Sequence, residues 1–257
     1  MLRAIHPICL LALAFSAIPA LAQSPWNGTW KLNQAKSHMT GDTYTLTKSG
    51  DTYHMNGGSF QFDYACDGKD YPIFGGETVS CKETPTTVDS VYKQNGKTVQ
   101  TTKHQLDASG KSYTSISTNM LAAGGTTVSK TTFTRVGQGT GFTGTWKSTS
   151  TSTNHVETFT LAVNGNSLHV DVPEEHVTWE GKLDGTPAAV HGPNVPDGVM
   201  ISEKLEGPKK MVSDVTVDGK HVSHSEDTMN ADGKSYTEIT WDPTKPNEKQ
   251  TYVYEKQ

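Results

Sequence analysis

Apolar and hydroxylated residues alternate along most of the chain. Thr43-Tyr44-Thr45-Leu46-Thr47 sets threonines on one face and bulky apolar groups on the other, and Phe159, Leu161 and Val163 repeat the pattern later. Successive strand side chains point to opposite faces, so a period of two predicts half-buried β-strands. Short turn signals punctuate them: Ser49-Gly50-Asp51, Asn95-Gly96-Lys97, Ala108-Ser109-Gly110, Asn164-Gly165-Asn166, Asp218-Gly219-Lys220 and Ala231-Asp232-Gly233. These suit tight antiparallel hairpins. Beyond the first two dozen residues, no stretch sustains apolar positions at helical spacing. The pattern predicts an all-β protein.

The strand pattern occurs twice. Gly28-Thr29-Trp30-Lys31 returns as Gly144-Thr145-Trp146-Lys147, the Tyr44 to His54 block returns from Phe159 to His169, and Gly110-Lys111-Ser112-Tyr113-Thr114 recurs unchanged from Gly233 to Thr237. Thr132-Phe133-Thr134-Arg135-Val136 is echoed by Gln250-Thr251-Tyr252-Val253-Tyr254. A period above about 100 residues is domain-sized, far longer than a solenoid or propeller repeat. About eight strand candidates per copy suit two tandem antiparallel up-and-down barrels, repeat 1 over 23–139 and repeat 2 over 140–257, with the glycine-rich Val136 to Phe142 stretch as linker. The alternative is one larger continuous barrel or curved sheet.

The first residues change the compartment. Arg3, an apolar run from Ile8 to Ile18 and Ala20-Leu21-Ala22 read as a cleavable signal peptide over 1–22, and hence an exported protein, periplasmic or secreted. The run is shorter than the roughly 20 residues a membrane span needs. Removing Arg3 leaves 21 basic against 27 acidic residues. This mild acidity, with no basic cluster, argues against nucleic acid or an anionic membrane as partner. Cys66 and Cys81 are then the two remaining cysteines, and export makes a disulfide between them the simplest reading.

The tryptophans carry a resemblance. A G-x-W triplet opening a strand at the head of a β-barrel unit, here Gly28-Thr29-Trp30 and Gly144-Thr145-Trp146, resembles the first motif of lipocalins and the wider calycin group. The resemblance implies that each Trp closes a barrel base under an Arg from the last strand. Arg135 is placed to do so over Trp30, with Tyr254 at the matching position of the second copy. The Thr-Asp-Tyr turn motif and the helix after the barrel, both lipocalin features, are missing. The stretch 28–37 together with Asp67-Gly68-Lys69-Asp70-Tyr71-Pro72 also resembles a recurrent type of exported bacterial protein.

Candidate chemistry is sparse. The loop around Asp67 to Pro72, with Glu180-Gly181-Lys182 as its partial counterpart, is the least turn-like connection and is the candidate ligand mouth, where Tyr64, Tyr71, Phe74 and Trp179 offer aromatic surface. His54 and His169 are equivalent by repeat and lie on the face opposite their apolar neighbours, either towards solvent or at polar lumen positions. His221 and His224, three apart on a strand, should point to opposite faces, and no metal site is expected. Nucleophile elbow, phosphate loop and cofactor fingerprint are all missing. The leading expectation is a small-molecule binding protein for an apolar or amphiphilic ligand. The alternatives are an envelope or matrix interaction protein with filled barrels, and a calycin-type isomerase or hydrolase.

Overall fold

The computed structural model describes residues 24–156 and 158–257; the signal peptide expected over 1–22 lies outside them. Among the described residues twenty strands follow one another: β1 Gly28–Leu32, β2 Thr43–Ser49, β3 Thr52–Asn56, β4 Gln61–Ala65, β5 Tyr71–Pro72, β6 Glu77–Glu83, β7 Thr87–Gln94, β8 Lys97–Leu106, β9 Ser112–Met120, β10 Thr126–Val136, β11 Gly144–Thr153, β12 Thr158–Asn164, β13 Ser167–Val172, β14 Val177–Lys182, β15 Ala188–Ala189, β16 Val199–Leu205, β17 Lys210–Val217, β18 Lys220–Met229, β19 Ser235–Trp241 and β20 Gln250–Lys256. They form two nearly closed antiparallel barrels of ten strands each. The count exceeds eight partly because each barrel edge carries a two-residue strand, β5 or β15.

The barrels are not the two copies. Barrel one has the order β4-β3-β2-β11-β10-β9-β8-β7-β6-β5, and barrel two β14-β13-β12-β1-β20-β19-β18-β17-β16-β15. Each copy therefore gives its opening G-x-W strand to the other's barrel. β1 pairs with β12 and β20, while β11 pairs with β2 and β10. This is the reciprocal strand exchange of a domain-swapped dimer, fused into one chain. The boundary expected at 139/140 accordingly does not separate the sheets. Residues 137–143 turn within barrel one, and the crossings are made by 33–42 and by the segment that follows Thr153.

The exchange also reassigns the base caps. Arg135 stacks on Trp146, its register partner, at 4.1 Å from the ring centroid, not on Trp30. Over Trp30 sits Lys256, at 5.1 Å. Lys256, and not Tyr254, is thus the counterpart of Arg135, and Tyr254 matches Phe133. Each indole donates to the backbone four residues earlier, Trp30 Nε1 to the Trp26 carbonyl at 2.9 Å and Trp146 Nε1 to that of Phe142 at 2.8 Å. The motif glycines keep room for the caps. A Cβ on Gly144 would lie 2.6 Å from the Arg135 guanidinium, one on Gly28 would lie 2.5 Å from Lys256 Cε, and both have φ in the left-handed half.

The barrel edges are stitched across by short bridges. In barrel one, Asp67 bridges Lys82, and the Cys66–Cys81 disulfide, with a sequence separation of 15, ties the end of β4 to β6. A loop of that length stabilises by about 3 kcal/mol on the chain-entropy model. In barrel two the matching bridge is Asp184 to Lys204. Register thus makes Asp184-Gly185, and not Glu180-Gly181, the counterpart of Asp67-Gly68, and puts Leu183 and Glu203 where barrel one has its cysteines.

Candidate functional site

Trp146, Arg135 and Tyr113 lie at one end of barrel one, as does Lys48, which bonds Glu83 at 2.6 Å while the Tyr53 hydroxyl donates to the same carboxylate. That end is closed. The other end faces barrel two, whose mouth faces back. The loop between β19 and β20 fastens the two together. Asp242 Oδ2 accepts from the amide and hydroxyl of Ser59, both at 2.7 Å. Glu248 accepts from the Thr43 amide at 2.8 Å and hydroxyl at 2.6 Å, and Lys245 donates to the Thr43 carbonyl. The symmetry-related loop between β9 and β10 reaches the other way, with Ala123 donating to the Glu174 carbonyl at 2.9 Å. Between these fastenings, Asp197 donates to the Gly75 carbonyl at 2.7 Å.

A partly open cavity of about 730 Å³ occupies the lumen of barrel one and continues across the junction to the mouth of barrel two. Its walls are rich in aromatic rings: Tyr44, Tyr53, Tyr64, Tyr92, Tyr113, Phe60, Phe62 and Phe133 from barrel one, with Trp241, Tyr252 and Tyr254 across the junction. Strand periodicity explains the set, because inward positions recur every second residue on every strand. The volume falls in the range of small-molecule pockets, and the pattern of an apolar lining with a few placed polar groups fits one.

Those polar groups are held uncharged. Tyr44 and Tyr113 share a hydroxyl–hydroxyl bond of 2.5 Å, and burial pushes the ionisation of both far up. Tyr92 and Tyr252 are raised to about 12, chiefly by burial. His104 faces the lumen from β8, stacked on Tyr113 at 5.1 Å. Burial lowers its pKa to about 4 against a weak opposing pull from Asp89, so the imidazole is neutral at pH 7. Asp42, Asp242, Lys245 and Glu248 sit at the junction rim, and Glu238 of β19 also lines the cavity.

Barrel two is filled by its own side chains around Trp26, Trp30, Leu168, Val170 and Tyr236. Three carboxyls are buried among them. Asp227 and Glu238 are direct cross-strand partners, and burial raises both, reinforced at Asp227 by Glu238 and Glu203. Glu203, 4% exposed, accepts from Trp179 Nε1 at 3.1 Å, and burial raises it to about 7. A carboxyl whose folded pKa lies above its unfolded value gives stability that is fully present below about pH 4.5 and lost as pH rises through about 7. His104 acts oppositely, but only below about pH 6.5, where the unfolded imidazole starts to take up a proton. The Glu203→Gln variant should therefore be more stable than the parent at pH 8, by on the order of 2–3 kcal/mol, and gain nothing at pH 4.5. Urea denaturation at both pH values checks this, and an equal gain at both would refute it.

The residues expected from sequence divide. Tyr64 lines the cavity, stacked on Tyr53 at 5.4 Å. Phe74 packs at 4.7 Å against Phe60, which lines the mouth. Tyr71 is half-buried on β5, beside Val79 and outside the cavity wall. Trp179 belongs to the interior of barrel two. His54 and His169 face outward, paired with Asp63 at 2.7 Å and Glu180 at 3.4 Å, each with nearly half its side-chain surface in solvent. Neither reaches the cavity. Sequence reading missed His104, although it shares strand parity with Leu106, because the rest of β8 is polar enough to hide which face turns inward.

No family model, curated protein or solved structure matches the chain. No helix among the described residues is long and apolar enough to cross a membrane.

Proposed function

We propose that the protein is an exported binding protein of lipocalin-like type that holds a small apolar or amphiphilic molecule in barrel one. The observation that carries this reading is the aromatic cavity between the closed base at Trp146 and the junction with barrel two. Its tyrosine hydroxyls and neutral His104 offer hydrogen bonds without a charge, so a ligand seated there brings an apolar body and few polar atoms. A charged or hydroxylated head would lie at the rim, near Lys245 and Asp242. The disulfide and the leader sequence both suit an oxidising compartment. Barrel two, packed with its own residues, favours a scaffold role for that half, which is the filled-barrel reading confined to one barrel.

Native mass spectrometry of protein purified without detergent, followed by a lipophile panel, tests the proposal. Ser115 is a buried cavity residue opposite His104 on the neighbouring strand. Ser115→Phe should weaken binding at least tenfold by occupying the lumen. A wild-type protein that carries no additional mass and binds nothing in the panel refutes the proposal, as does full affinity in a folded Ser115→Phe variant.

A further inference from the structure

We propose that Asp214, His221 and His224 form a binding site for one divalent d-block cation, zinc(II) or copper(II), on the outer wall of barrel two. The site depends on a β-bulge. Val215 pairs with Ser223 but Thr216 pairs with His221, so Val222 is an extra residue in β18. In a regular strand two histidines three apart point to opposite faces. The bulge adds one residue to the count, turns Val222 inward and brings both imidazoles to the outer face, with ring centroids 6.4 Å apart. The expectation of opposed rings is thereby corrected.

Asp214 completes the set from the adjacent strand, directly across from His224. Its Oδ1 lies 2.8 Å from His221 Nε2 and 2.6 Å from His224 Nδ1, and all three ligand atoms fall within 4.8 Å of one another. Two imidazole nitrogens and one carboxylate oxygen suit zinc and copper, and leave coordination positions open to water or another ligand. Tetrahedral metal bonds of about 2.0–2.1 Å set neighbouring donors about 3.3 Å apart, so the Asp214 oxygen needs to move out from the two imidazole nitrogens by roughly half an ångström. The His224 ring is backed by Trp241 at 4.5 Å. The pairs His54–Asp63, His155–Glu174 and His169–Glu180 offer two donors each, which sets the triad apart among the described residues.

The test uses the full protein, stripped with chelator and dialysed. Zinc(II) titrated calorimetrically should bind at one equivalent per chain, and elemental analysis after gel filtration should recover it. His221→Ala and His224→Ala should each weaken binding at least tenfold, whereas His54→Ala should leave it unchanged. Copper(II) electron paramagnetic resonance should show coupling to two imidazole nitrogens in the parent and one in each single variant. Circular dichroism confirms that the variants, changed only at the surface, remain folded. Binding of equal strength in parent and triad variants, or no zinc bound by the parent at micromolar concentration, overturns the assignment.

Discussion

Replacing Trp146 by alanine should destabilise the protein by about 3–5 kcal/mol, the range for removing a large buried aromatic, and should do so in the barrel of the other copy. The indole is fully buried, meets Tyr113 edge-on at 4.8 Å, donates to the Phe142 carbonyl and carries the Arg135 guanidinium on its face. Its removal leaves a cavity beneath a cation, and forfeits a further contact worth roughly 1 kcal/mol. Against a typical total of about 5–15 kcal/mol, the loss is large. Trp146 opens the second copy in sequence, yet its neighbours are β2 and β10. Hydrogen exchange should therefore accelerate first over residues 43–136, whereas Trp30→Ala should loosen 158–256 first. Loss of protection in the reverse order would refute the strand exchange.

Cutting the chain between Gly137 and Gln138, at an inserted protease site, should leave the two fragments bound to each other. β1 of the first fragment is hydrogen-bonded on both sides within barrel two, and β11 of the second within barrel one. Separating them breaks four strand pairings at once and exposes an edge on both sides of each. Gel filtration of the nicked protein in plain buffer should show a single species of unchanged size, resolving into two only with denaturant. Two independently folded fragments in buffer would mean that each copy keeps its own first strand.

Much of this architecture was legible in the chain. Alternation at Thr43 to Thr47 and the Asn-Gly and Asp-Gly turns are local signals, and they mark out antiparallel strands correctly. Duplication marks out two barrels. The exchange was not legible, because β1 can pair with Thr43-Tyr44-Thr45 of its own copy or with Thr158-Phe159-Thr160 of the other, and the two edges are chemically alike. The same ambiguity placed Arg135 over the wrong tryptophan. Histidine geometry at 221 and 224 was misread for a different reason: a bulge breaks the period on which strand parity rests, and nothing in Lys220-His221-Val222-Ser223 announces one. The cavity itself depends on how far opposite walls stand apart, which alternation does not encode.

The pairing of Trp30 with Lys256 sets the order of events as the polypeptide is made and folds. The earliest described strand has no partner until β12 is delivered and keeps one edge open until β20 arrives, and most of barrel one can close while that strand waits. Completion is thus postponed until the whole chain is available, which should make maturation slow and leave the unfinished intermediate in need of protection from aggregation.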